Sequence, residues 1–238
     1  MHNFKSVIPT ALKHAIKRSL CFLRWDKWQN ISWAQEGEDL ILNRFLNSKQ
    51  SGFYVDIGAH HPKRFSNTYF YYRKGWKGIN IDAMPGSMAA FEKMRPRDIN
   101  LECGIGEKNE KLPYYIFNDH ALNGFSKQLS DERRSEGVYK LISENVVEIR
   151  TLSSVLDQFE NEFEGIDFLT IDVEGFDLEV LKSNDWEKYR PEYILAEILS
   201  QNNFVQPEQP ILKFLENQDY KLVAKSMNTA FFQTTRVN

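Results

Sequence analysis

The chain has 238 residues, 42% of them hydrophobic and 26% charged, enough for one α/β domain with a substantial core and short for two. A formal net charge of −3 gives no global electrostatic case for nucleic acid as a partner. Cys21 and Cys103 are too few for a disulfide framework or a zinc site, which points to a reducing, cytoplasmic setting.

In residues 4–24, Phe4, Ile8, Leu12, Ala15, Ile16, Leu20 and Leu23 recur at helical spacing with Lys5, Lys13, Lys17, Arg18 and Arg24 between them. Charges interrupt every apolar run, so the stretch reads as neither a signal peptide nor a transmembrane span. Two readings stand: a basic helix lying on an anionic membrane surface, such as the inner face of the cytoplasmic membrane, or a helix packed on the domain with a solvated basic face. The expected division is an extension over residues 1–30 and a single domain over 31–238, with an insertion at about 110–150.

Trp33 to Phe45 reads as an amphipathic helix with Glu36, Glu38 and Asp39 in its first turn, where the helix dipole favours acids. Phe53–Ile57 is strand one, Asn67–Lys74 a helix closed by Gly75, Gly78–Asp82 strand two, Ser87–Met94 a helix and Ile99–Cys103 strand three. Lys111–Phe117 reads as an insertion strand, Ser130–Ser143 as a charged helix and Val146–Thr151 as a returning strand. Then follow helix Ser153–Phe159, the buried strand Ile166–Asp172, helix Asp177–Lys182 and strand Tyr193–Glu197. Helix Ile211–Asn217 precedes strands Tyr220–Lys225 and Ala230–Thr234, whose short connection requires them to be antiparallel. The fold expected is an α/β three-layer sandwich: a mostly parallel seven-stranded Rossmann-like sheet closed by an antiparallel C-terminal hairpin.

Four of these strands end on acids: Asp56, Asp82, Asp172 and Glu197. In a doubly wound sheet such ends share one edge and converge on one crevice. Asp82, ending strand two, presents two fixed acceptor oxygens to the vicinal hydroxyls of a ribose. Gly58 allows close backbone approach to a ligand. Ser66, Asn67 and Thr68 open the next helix as either an anion site or a simple N-cap. Asp172 and Glu174, in Asp172-Val-Glu-Gly-Phe-Asp177, with Glu197, read three ways: ligands of a divalent cation such as Mg2+ (Asp172 and Glu197 above all), a general base, or acids complementing a helix N-terminus. His60 and His61 follow the glycine turn, either as a catalytic base or as hydrogen-bonded loop structure.

Asp56-Ile-Gly-Ala-His-His-Pro62 with Ser66-Asn-Thr68, Gly75-Trp-Lys-Gly-Ile-Asn-Ile-Asp82, Leu169-Thr-Ile-Asp-Val-Glu-Gly-Phe-Asp177 and the upstream Gln35-Glu-Gly-Glu-Asp39 resemble the FkbM family of S-adenosylmethionine-dependent methyltransferases over about residues 33–200. The resemblance implies a class I methyltransferase fold with S-adenosylmethionine as cofactor. It places Gln35 in the cofactor site, Asp56 and Gly58 by the methionine part, Asp82 on the ribose, Glu102, Cys103 and Gly104 by the adenine, and Asp172 under the sulfonium. His60 and His61 stand where many relatives keep small residues. The likeness extends to members encoded with surface-polysaccharide genes, which implies O-methylation of a hydroxyl on a sugar or nucleotide-linked sugar, with Asn118, His120, Asn123, Ser126 and Lys127 of the insertion as candidate contacts. Asp172, Glu174 and His60 are the candidate catalytic groups. An oligomer is compatible with this reading.

An NAD-dependent oxidoreductase would need a Gly-x-Gly-x-x-Gly turn, and this loop has only Gly58. A non-catalytic nucleotide- or sugar-binding protein of the same fold is the other alternative, because methyl transfer requires no single diagnostic residue.

Overall fold

The buried strand β1, Phe53–Ile57, organises the molecule, because every one of its side chains is out of solvent. The computed structural model describes residues 28–119, 122–135, 137–199 and 206–236; the expected helix at residues 4–24 and His120 lie outside them. β1 pairs in parallel with β2 (Lys77–Asp82) on one side and β7 (Phe168–Ile171) on the other. β3 (Ile99–Glu102) and β8 (Tyr193–Glu197) extend the sheet, and β9 (Tyr220–Lys225) and β10 (Thr229–Thr234) finish it in the order β3-β2-β1-β7-β8-β10-β9. β10 runs antiparallel to both of its neighbours. The seven-stranded, mostly parallel sheet with a closing hairpin therefore matches the sequence reading.

Alternation along β1 sorts the two cores. Phe53, Val55 and Ile57 join Val155 and Leu156 of α5 (Leu152–Gln158), Val180 and Leu181 of α6 (Asp177–Lys182), and Leu212 and Leu215 of α7 (Pro210–Asn217). Tyr54 faces the other way, into a cluster with Leu42 of α1 (Glu38–Phe45) and Tyr71 of α2 (Tyr69–Arg73). Helices on both faces of a parallel sheet give the three layers. The remaining long crossover carries α3 (Met88–Met94) between β2 and β3.

Several boundaries differ from the sequence reading for identifiable reasons. α1 begins at Glu38 rather than at Trp33, because Gly37 is left-handed at φ 84 and the acidic side chains bond backbone instead of extending the helix. The Asp39 carboxylate accepts from the Ser32 hydroxyl at 2.6 Å and the Trp33 N–H at 2.9 Å, and Glu38 accepts from the Glu36 N–H at 2.7 Å. α2 starts at Tyr69, since Ser66 and Thr68 are drawn into buried hydrogen bonds described below. The charged helix ends early: α4 spans Lys127–Ser135, and Leu141–Arg150 is the strand β6. Its alternation of half-buried and exposed residues is strand periodicity. β6 lies between β4 (Gly104–Ile105) and β5 (Glu110–Phe117) in a separate three-stranded sheet. The chain leaves the main sheet at Cys103 to build it.

Gly58 is fixed by packing between strands. Its φ is 82, and a Cβ built there would stand 1.8 Å from the Asp172 carbonyl oxygen. The expected reason for this glycine, close approach to a ligand, gives way to a stronger one, close approach of two segments of the protein's own backbone. Gly58→Ala combines a left-handed backbone with a backbone clash, so it should destabilise the fold by about 3 kcal/mol or more. Thermal unfolding checks this, and a melting temperature close to the parent's would contradict it.

Candidate active site

The register decides which side chains meet. Ile57 lies opposite both Ile81 and Ile171, and Ile171 lies opposite Ala196. The residues just beyond, Gly58, Asp82, Asp172 and Glu197, therefore emerge along one edge, at the point where β2 and β7 leave β1 in opposite directions. A cavity of about 520 Å³ opens there, lined by residues from these strand ends and from the insertion. That size suits a ligand of small-molecule dimensions. Gln35, Asp56, Gly58, His60, Asn67, Asp82, Cys103, Asp172, Glu174 and Glu197 all line it, so most of the sequence-predicted residues converge.

Asp82 is the best-oriented polar group. The His60 N–H donates to its Oδ2 and the Met84 N–H to its Oδ1, each at 2.8 Å. These two bonds fix the carboxylate plane and leave further acceptor capacity on each oxygen. Burial raises its pKa, and the two backbone donors oppose that rise. His60 contributes through its backbone, held left-handed at φ 52, and its ring stacks near Phe65 with centroids 6.5 Å apart. His61 is loop structure: its Nδ1 accepts from the N–H groups of Lys63 and Arg64, both at 3.0 Å.

Three of the expected cofactor residues lie elsewhere. Ser66 and Thr68 are buried behind the cavity wall. Ser66 Oγ accepts from the Tyr69 N–H at 3.0 Å, and Thr68 donates its hydroxyl to Asp56 at 2.6 Å. With α2 only five residues long, these groups form internal connections and no anion site. Asn67, between them, does face the cavity and donates from Nδ2 to the Thr170 hydroxyl at 3.0 Å. Glu102 is exposed and accepts from the Gly86 N–H at 2.8 Å, so it braces the loop after β2. Cys103 and Gly104 line the cavity in its stead, the Cys103 thiol raised to about 11 by burial.

The β7–β8 side is strongly acidic. Asp172 opens onto the cavity, and its carboxyl is raised by burial, then by Glu197 and Glu174. Solvent entering the cavity softens that rise. Glu197 is pushed to about 7 by burial first and then by Glu174 and Asp177. Glu174, left-handed at φ 54, is ion-paired with Arg133 of α4. Arg133 also donates to the Leu122 carbonyl at 2.5 Å, which ties the insertion to the turn after β7. Among the described residues no group of three or more His, Cys, Asp or Glu side chains is arranged to hold a metal ion. Nothing in this arrangement supports the expected cation at Asp172 and Glu197.

The insertion supplies a wall that sequence reasoning only sketched. Asn123 lines the cavity and accepts from the Phe117 N–H at 2.9 Å, while Asn118, Ser126 and Lys127 do not line it. Asn118 instead accepts from the Lys140 N–H at 2.8 Å, and Ser126 from the Leu129 N–H at 3.3 Å. Tyr114 and Phe125, their rings 4.8 Å apart, add an aromatic surface, and Arg64, Phe65 and Arg133 complete the rim. None of these five was singled out from the sequence. A single aromatic or arginine carries no periodic signal of its own, and only the folded insertion, set against the loop after β1, brings these together.

Asp177, at the start of α6, is buried with no hydrogen-bond partner for Oδ1. Burial first, then Asp172 and Glu174, push it to about 7. A carboxyl raised on folding costs stability once pH exceeds its unfolded value, and the full cost is present above the folded value. Asp177→Asn should therefore raise the melting temperature at about pH 8 and leave it nearly unchanged at about pH 4, with the difference growing between. Thermal melts across that range check it; a benefit independent of pH would contradict the assignment.

Residues 56–222 match the sequence profile of the methyltransferase FkbM domain. Among curated proteins none matches the chain. Among solved structures, the Burkholderia thailandensis 1,6-didemethyltoxoflavin-N1-methyltransferase with bound 1,6-didemethyltoxoflavin and S-adenosylhomocysteine aligns over 99% of each chain, at 11% identity and a TM-score of 0.43. An O-methyltransferase from Bacillus cereus in complex with S-adenosylhomocysteine aligns over 96% of this chain and 91% of its own, at 13% identity and a TM-score of 0.38. A TehB-like S-adenosylmethionine-dependent methyltransferase from Corynebacterium glutamicum aligns over 94% and 97%, at 9% identity and a TM-score of 0.42. The profile covers Asp56–Pro62, Gly75–Asp82, Leu169–Asp177 and the strand ends that form the cavity, and on it the chain belongs to the FkbM methyltransferase family.

Proposed function

We propose that this protein transfers a methyl group from S-adenosylmethionine to a hydroxyl of a sugar or nucleotide-linked sugar, in surface-polysaccharide biosynthesis. The observation that carries the cofactor half is Asp82, whose carboxylate is fixed by two backbone N–H groups at the lip of the cavity. Asp82 would hold the ribose hydroxyls, Asp56 and Gly58 the methionine part, Cys103 and Gly104 the adenine, with Gln35 and Asn67 on the same wall. The donor set fits: a cavity bordered by Asp56, Asp82, Asp172, Glu174 and Glu197 favours a cationic ligand over the pyrophosphate of a dinucleotide. When bound, the cofactor supplies an electrophilic methyl group on a positively charged sulfur.

The chain itself supplies position, charge and a proton acceptor. Asp172, open to the cavity, favours positive charge beside it. A hydroxyl acceptor loses a proton during transfer, and Glu197, titrating at about 7, is matched to accept it near neutral pH. Glu174 is bound to Arg133 and is better suited to holding the insertion in place, so the base role passes from it to Asp172 and Glu197. His60 lines the cavity and remains a candidate acceptor of the same proton. The Tyr114 and Phe125 rings with Asn123 on the insertion wall support a sugar, whose C–H faces pack on aromatic surface while its hydroxyls bond polar groups. No helix among the described residues is long and apolar enough to cross a membrane; a basic amphipathic helix at residues 4–24 would allow peripheral contact with an anionic membrane surface.

Asp82→Ala should raise the Kd for S-adenosylhomocysteine about tenfold or more, from the loss of charge-assisted bonds to the ribose. Isothermal titration checks this, and unchanged affinity would remove the ribose assignment. Turnover on a panel of sugars and nucleotide sugars tests the second half. Tight cofactor binding with no methyl transfer to any hydroxyl would favour the binding-protein alternative.

A further inference from the structure

Arg95 ends α3 and is completely buried. The rings of Tyr54, Tyr72 and Phe91 lie 5.4, 5.3 and 5.5 Å from its guanidinium. A charge in such a place is retained only with partners for its donors. One partner is local: Nε donates to Asp98 Oδ2 at 2.9 Å. Nη2 donates to the Tyr54 hydroxyl at 2.8 Å, which itself donates to Asp98 Oδ2 at 2.8 Å, so that bond closes on the same partner. The others do not: Nη2 also donates to Thr68 Oγ1 at 3.0 Å, and Nη1 to Ser66 Oγ at 3.5 Å. Thr68, its lone pair taken by Arg95, points its own proton at Asp56 Oδ2, 2.6 Å away. Asp56 in turn lines the ligand cavity.

We propose that Arg95 is a positioning residue for the cavity: acting through the Thr68 hydroxyl, it holds Asp56 as an oriented carboxylate ready for a cationic ligand. This rests on the cofactor reading above for the ligand's identity. The coupling itself stands on the geometry alone. The charged groups acting most strongly on Asp56 include Arg95 at the end of α3, Asp98 ahead of β3, Asp82 ending β2 and Asp172 following β7, and the cavity lining adds His60, Arg64 and Arg133. Arg95 is the largest charge favouring the carboxylate, and the Thr68 hydroxyl adds its bond to the charged form. Against them, burial and the other carboxylates raise Asp56 to about 6. Without the Arg95–Thr68 connection Asp56 would hold its proton to higher pH, and its attraction for a cation would weaken around neutral pH.

Arg95→Met also breaks the buried pair with Asp98 and so tests folding as much as function. Thr68→Val is the cleaner variant, because it severs the connection and leaves Arg95 and Asp98 together; Thr68→Ser keeps the hydroxyl. Two readouts apply: the titration of Asp56 by carboxyl carbon resonance in the ligand-free protein, and the pH dependence of the Kd for S-adenosylhomocysteine, whose ammonium group serves as the cationic probe. In Thr68→Val the Asp56 midpoint should move up by about one pH unit or more. Relative to the parent, its affinity for the probe should fall roughly threefold or more at about pH 6.5 and approach the parent's by about pH 8, with Thr68→Ser tracking the parent. A lower melting temperature with the Asp56 midpoint and the binding profile unchanged would overturn the proposal and leave Arg95 a buried strut. A shifted midpoint in a protein that binds no S-adenosylhomocysteine at any pH would sustain the coupling and sink the cofactor reading instead.

Discussion

The rest of the structure depends on how closely three strand ends are joined around Gly58. The Asp172 N–H donates to the Ile57 carbonyl at 3.0 Å, and the Gly58 and Ala59 N–H groups both donate to the Ile81 carbonyl, at 2.9 and 3.1 Å. These bonds continue the parallel ladder one step past the strands, so the exits of β1, β2 and β7 are rigidly related. A methyl group at position 58 would break that relation. Asp82, Asp172 and the start of the His60 loop take their places from it. Precision at the cavity is therefore a property of the sheet, and the side chains inherit it.

The second constraint is electrostatic. Parallel register sets Asp56, Asp82, Asp172 and Glu197 at one edge, and the turn after β7 and the start of α6 add Glu174 and the buried Asp177. Burying so many carboxylates together raises several of them, to about 6 at Asp56 and about 7 at Asp177 and Glu197. Such an arrangement is unfavourable for the empty protein and favourable for one holding a positive ligand, so part of the folding free energy is held back for binding. Two arginines moderate it from opposite sides: Arg95 from within the core, toward Asp56, and Arg133 from the insertion, onto Glu174.

Much of the fold was legible because β1, β2, β7 and β8 are continuous apolar runs bounded by glycine or acid, a pattern that parallel sheets impose. The short connection between β9 and β10 fixed their relative direction just as firmly. Asp82 and Asp172 were legible as residues of the cavity edge for the same reason, since a strand's last residue has a defined place. Side chains whose partners are remote in sequence were not. Thr68 looks like a helix cap, and its partner Asp56 is twelve positions away on a strand. Arg95, followed by Pro96, Arg97 and Asp98, has the composition of a solvated loop, yet it is wholly buried. The second half of β6 was read as a strand, but its first residues, Leu141–Ser143, were drawn into the preceding charged helix, because half of a strand in a small open sheet is as polar as a surface helix.

The central claim is that the cavity at the reversal of strand order is the cofactor site of a methyltransferase. A crystal structure of the protein grown with S-adenosylhomocysteine tests it most directly. The account predicts the ligand in the cavity bounded by Gly58, Asp82, Cys103 and Asp172, with both ribose hydroxyls on the Asp82 carboxylate. Well-ordered ligand bound anywhere else, or in this cavity with its ribose away from Asp82, would contradict it.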